Sequence, residues 1–123
     1  SVAVKAAWLR PGCHVNAMGA DAPGKQELES AALAGMRVYV DDLYQATHSG
    51  EINVALERGE FAESAIVGSI GAVIAGLAQG RASDEERTLF DSTGLAIQDA
   101  ALARVLLARA EDRGVGSLVQ LVG

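Results

Sequence analysis

Apolar positions fall along this chain in short blocks of two kinds. Short apolar, β-rich runs bounded by turn residues predict buried strands. His14 to Met18 is the first, alternating through Val15 and Ala17 into Gly19. Arg37-Val38-Tyr39-Val40, closed by Asp41-Asp42, is the second, and Thr88-Leu89-Phe90 the third. Helical spacing predicts the other elements. Leu28, Ala31, Ala32 and Gly35 share one face over Lys25 to Met36. Asp42 begins a further helix, with Gln45 at the spacing of a capping box, and Gly50 breaks it. Ile52 to Leu56 adds a turn or two, ending at Gly59. From Ser69 to Gly80, the residues Ile70, Val73, Ile74 and Leu77 form an amphipathic stripe. The longest helix is predicted from about Leu95 to Arg113, closed by Gly114. Its segment Ala100 to Ala108 is apolar except for Arg104, the pattern of a helix covered on more than one side. The tail Leu118 to Val122 has β character.

Strand, helix, strand, helices, strand, long helix is an alternation that implies a parallel sheet with right-handed crossovers. Residues 1–123 are predicted to form a single α/β domain, half of a doubly wound parallel sheet with a long C-terminal helix. A three-stranded parallel sheet leaves unpaired backbone at its edges. A second copy of the chain is the simplest cover, so a homodimer or higher homo-oligomer is expected.

Composition narrows the function classes. The chain is 50% hydrophobic, 4% aromatic and 21% charged, with 14 glycines, which suits a small-residue α/β core. Its net charge is −6 and no cluster of Lys or Arg exceeds two residues, which argues against nucleic acid and anionic membrane surfaces. No run approaches the ~20 apolar residues of a membrane span. The single Cys13 precludes an intrachain disulfide, and the N-terminus lacks signal-peptide order. A cytoplasmic location is expected.

Candidate chemistry gathers between Cys13 and Leu28. A strand that delivers Asp21 and Lys25 through a Gly/Pro loop at its carboxyl end stands where open α/β sheets place ligands. Each candidate also has a plainer reading. Asp21 can be a solvated loop carboxylate, and Lys25 a helix-start lysine. Asp41-Asp42 reads as a strand end plus a helix cap rather than a metal pair. His14 and His48 stand in no metal-ligand spacing, and no metal is expected. Ser92-Thr93-Gly94 precedes the long helix; its amides can hold an anion, or Ser92 or Thr93 can cap the helix.

Three blocks carry a family resemblance that runs essentially from end to end. Trp8-Leu9-Arg10-Pro11-Gly12 followed by His14-Val15-Asn16-Ala17 is the first, and Gly19-Ala20-Asp21-Ala22-Pro23-Gly24-Lys25-Gln26-Glu27-Leu28 the second. The third is Thr88 to Asp99, with Phe90-Asp91-Ser92-Thr93-Gly94 at its centre. Together they resemble the second half of the Rossmann domain of the ornithine cyclodeaminase and mu-crystallin family, which includes archaeal-type alanine dehydrogenases and ketimine reductases. The resemblance implies that Asp21 occupies the position of the proton-transfer carboxylate. It implies that His14, Val15, Asn16, Ala17, Lys25 and Ser92 lie along a nicotinamide cofactor, NAD or NADP, and that Thr93 faces the substrate. The implied chemistry is hydride transfer at a carbon bearing nitrogen, with a carboxylate moving the proton.

The chain also departs from that family. It shows no match to the Gly-rich phosphate loop, to the ribose-binding acid, or to the basic residues that clamp a substrate carboxylate. Gly68-Ser69-Ile70-Gly71 is the nearest glycine-dense run, but it is read on a helix without a preceding strand. The chain is therefore expected to be a natural fragment or a piece of a longer protein, binding no cofactor alone. Two readings follow. One is a non-catalytic, self-associating remnant. The other is an oxidoreductase or cyclodeaminase lobe that works only with a partner supplying the missing half.

Overall fold

The computed structural model describes residues 2–120. Four strands form one parallel sheet: β1 (His14–Ala17), β2 (Met36–Val40), β3 (Ile66–Ser69) and β4 (Arg87–Asp91). Their spatial order is β1-β4-β2-β3, so the last strand in sequence lies between the first two. Registers are His14 opposite Thr88 through Ala17 opposite Asp91, and Met36 opposite Arg87 through Val40 opposite Asp91. The predicted α/β class and parallel sheet are present, with four strands rather than three. β3 escaped the sequence pattern because Ala65-Ile66-Val67 is a three-residue apolar run that passes straight into Gly68 and Ser69.

Strand alternation divides the side chains between two faces. Val15, Ala17, Leu89, Met36, Val38 and Val40 belong to the buried face, with Leu28, Ala32, Leu33, Ala46, Ile52 and Ala55 over them. Those covering residues come from a 3₁₀ turn (Ser30–Leu33), helix α1 (Leu43–Ser49) and helix α2 (Asn53–Glu57). The opposite face presents His14, Asn16, Tyr39, Thr88 and Phe90. The segment from α3 (Ile70–Ile74) to Arg81, together with Gly12, borders it and leaves a cleft of about 480 Å³.

Several predicted elements differ. The helix expected over Lys25 to Met36 is reduced to the 3₁₀ turn. Tertiary contacts claim its backbone: the Ala3 and Val4 amides donate to the Glu27 carbonyl, and the Glu29 amide donates to Val4. Leu28 thereby forms a parallel bridge with Val4. Helix α3 stops at Ile74 instead of Gly80, because Gly76 turns left-handed at φ 73°. Ile74 and Leu77, expected on its buried stripe, are 81% and 84% exposed. Ser69 does cap α3, accepting from the Ala72 amide.

Helix α4 (Ala96–Arg113) forms at its predicted place and ends on left-handed Gly114. None of its residues is buried. Leu102, Val105, Leu106 and Leu107 are 47–62% exposed, so the predicted covering is not supplied by the described residues. In the tail, Leu118 and Val119 are exposed outside any strand, and residues 121 and 122 lie outside the described range.

Candidate functional site

Because all four strands are parallel, their carboxyl ends meet at one edge. Three loops leave it: 18–25 after β1, Asp41-Asp42 after β2, and Ser92-Thr93-Gly94 after β4. The first and third start side by side. Ala17 pairs with Asp91, and the Ser92 amide donates to the Ala17 carbonyl at 2.9 Å.

Asp21 is exposed and accepts a hydrogen bond from the Lys25 ammonium. That bond and the lysine charge hold the Asp21 carboxyl below its usual range. The loop is anchored from below by two buried side chains. Asn53 accepts from the Gly24 amide at 2.9 Å and donates to the Lys25 carbonyl at 3.0 Å. Glu51, 1% exposed, accepts from the amides of Glu27 and Leu28. Burial pushes its pKa up, against the opposing pull of those two amides.

Asp91 closes this arrangement underneath. It is fully buried and accepts from the amides of Glu51 and Ile52 at 2.9 and 3.1 Å. Burial outweighs those bonds and raises its pKa to about 6. The α1–α2 junction reaches this carboxylate because residue 50 is glycine. A Cβ there would stand 2.5 and 2.7 Å from the Asp91 oxygens.

The third loop is organised by Asp41, a role that the sequence reading of a simple strand end missed. Its carboxylate accepts from the Thr93 amide at 2.7 Å, the Gly94 amide at 3.2 Å, and the hydroxyls of Thr93 and Ser92 at 3.0 and 3.3 Å. The amides considered for an anion are therefore occupied. Neither Ser92 nor Thr93 caps α4; Leu95 holds that position without a side-chain bond. The Asp42 cap is present, its carboxylate accepting from the Gln45 amide at 2.9 Å. The reciprocal half of the capping box is absent: the Asp42 amide donates to Asp41, and the Gln45 carbonyl oxygen faces the Thr93 hydroxyl at 3.2 Å. The sequence signal that could have revealed Asp41 is a carboxylate at one strand end opposite a Ser-Thr-Gly turn at another.

The remaining candidates divide by face. The side chains of Val15 and Ala17 point into the core, so only their backbone is open to a ligand. His14 and Asn16 lie on the open face. His14 Nε2 stands 3.1 Å from the Asn16 oxygen and Nδ1 2.7 Å from the Thr88 hydroxyl. The amide oxygen only accepts, so its pairing with His14 calls for a proton on Nε2. Arg81 donates to Thr88 at 2.9 Å and to the carbonyls of Gly12 and Cys13. These polar groups satisfy one another, and the rest of the cleft lining is largely apolar: Tyr39, Ile70, Val73 and Phe90.

The glycine run at 68–71 straddles a strand end after all, since Gly68 and Ser69 are the last residues of β3. It still makes a poor phosphate cradle. Its glycines are spaced Gly-x-x-Gly, α3 has only five residues, and the Ser69 hydroxyl is spent on the cap. The carboxyl edge thus presents three polar loops, without a glycine-rich phosphate cradle among the described residues. No group of three or more His, Cys, Asp or Glu among those residues is arranged to hold a metal. None of the described helices is long and apolar enough to cross a membrane.

Known proteins match this arrangement over nearly the whole chain. Alanine dehydrogenase of Archaeoglobus fulgidus is 54% identical over 117 residues, covering 95% of this chain and 36% of that protein. An archaeal alanine dehydrogenase dimer with bound NAD superposes with a TM-score of 0.87 at 52% identity, covering 99% of this chain and 38% of the other. The iminosuccinate reductase of Paracoccus denitrificans in complex with NAD⁺ gives a TM-score of 0.86 at 36% identity, covering 98% and 37%. The chain therefore spans little more than a third of the length of these relatives. Residues 1–114 match the model of one family, and the chain belongs to it: the ornithine cyclodeaminase/mu-crystallin family.

Proposed function

We propose that this chain carries the proton-transfer and nicotinamide-facing part of an NAD(P)-dependent oxidoreductase or cyclodeaminase site, and that it is not catalytic alone. The observation that carries this reading is the pairing of Ala17 with Asp91. It sets the Asp21–Lys25 loop beside Ser92-Thr93 at the carboxyl edge of a parallel sheet, where such folds bind cofactors. When bound, the nicotinamide would accept or deliver hydride at the carbon bearing nitrogen. Asp21 would take the proton from the amine as the C–H bond breaks, or return it in reduction. Lys25, Ser92, His14, Asn16 and the backbone of Val15 to Ala17 would border the ring. Thr93, held by Asp41, would face the substrate.

The need for more polypeptide rests on two further features. The described residues offer no phosphate loop, so the contacts that anchor a dinucleotide are lacking. The open sheet face and α4 both present apolar surface, suited to covering by the remainder of a family-length protein or by a second copy.

Fluorescence titration with NADH tests the first point. The chain alone is expected to bind at millimolar concentration or not at all, and micromolar binding would overturn the requirement for a complementing half. In protein restored to family length, Asp21→Asn is expected to lower kcat by about 10²–10⁴-fold while cofactor binding persists. Undiminished turnover in that variant would sink the role of Asp21.

A further inference from the structure

The Asp21–Lys25 pair is exposed on both sides, with side-chain exposures of 66% and 56%. An exposed ion pair on a flexible loop holds its geometry weakly. What fixes this one lies in the backbone beneath it. Within the loop, the Lys25 amide donates to Ala22 at 3.1 Å. Its anchor to the body runs through Asn53, the first residue of α2, whose side chain grips both sides of the Gly24–Lys25 peptide link. Asn53 is itself held: it is 6% exposed and also donates to the Gly50 carbonyl. Glu51 secures the far end of the loop at Glu27 and Leu28.

Burying a primary amide and a carboxylate is costly unless each is fully bonded. Here both are spent on one loop and on the junction between α1 and α2. We propose that Asn53 is the positioning residue of the Asp21–Lys25 pair, fixing the Lys25 backbone so that the ammonium stands over the carboxylate. The inference rests on Asp21 as the proton-transfer group for its significance, but its geometry can be tested independently. Asn53 does not touch the reacting atoms; it acts through Lys25.

The experiment is a carbon-detected NMR titration of the Asp21 carboxyl in the chain, with amide exchange rates measured in parallel. In the wild type the midpoint is expected below the usual 3.8, and Lys25→Ala is expected to restore that value. Asn53→Ala is expected to recover at least half of the same rise. The Gly24 and Lys25 amides should then exchange at least about tenfold faster, with the β2 and β4 amides unchanged. If Asn53→Ala fails to fold, Asn53→Ser, which retains an acceptor, carries the same comparison with a smaller rise. A folded variant whose Asp21 midpoint equals that of the wild type would overturn the proposal and reduce Asn53 to a brace between α1 and α2. Failure of Asp21→Asn to impair turnover would instead remove the functional reading while leaving this titration intact.

Discussion

Asp91 contributes to stability with an unusual sign. Its folded pKa of about 6 lies above the usual 3.8, so the folded protein binds the proton more tightly than the unfolded chain does. Stability from this group is present below pH 3.8 and is lost as pH rises through 6. The gap is worth about 3 kcal/mol at pH 7 relative to acid. Glu51, also raised, acts in the same direction. Asp91→Asn is expected to flatten the fall in unfolding free energy between pH 4 and 6, measured by urea denaturation across that range. An unchanged slope would contradict it. Gly50 gives a second test at this scale. Gly50→Ala drives a methyl against the Asp91 oxygens and to 2.8 Å from the Ala46 Cα, and should cost about 1–3 kcal/mol in the same assay.

At the scale of elements, local signals agree with the fold at several places. β2 is recognisable from Val38-Tyr39-Val40, the α1 cap from Asp42, and the end of α4 from Gly114. Lys25 to Met36 deceived because its small residues repeat at helical spacing while Val4 and Glu51 claim its amides from afar. For the site, the Asp21–Lys25 loop was legible from its Gly/Pro composition. Asp41, Glu51 and Asn53 were not, since their roles depend on strands and helices that meet only in three dimensions. Helix α4 offers its own prediction. Leu102 and Leu106 are 59% and 55% exposed, so Leu102→Glu and Leu106→Glu should each change unfolding free energy by less than about 0.5 kcal/mol. If α4 is the surface of self-association, both should lower the mass seen by light scattering at micromolar concentration. A wild-type chain that is strictly monomeric there would contradict the homo-oligomer reading.

The molecule as a whole has one well-covered face and one open face. The covered face holds the core of Leu28, Leu33, Val38, Val40, Ile52 and Leu89. The order β1-β4-β2-β3 also dictates a history of assembly. Among the described residues β1 has no strand beside it until β4 arrives, and His14 and Thr88 are 74 residues apart. On a ribosome, the strand that carries His14 therefore waits for 74 further residues before Thr88 can pair with it. Parallel contacts that close late are slow to form. A nascent chain stopped short of β4 leaves both β1 and one side of β2 unpaired, and so exposed to wrong partners.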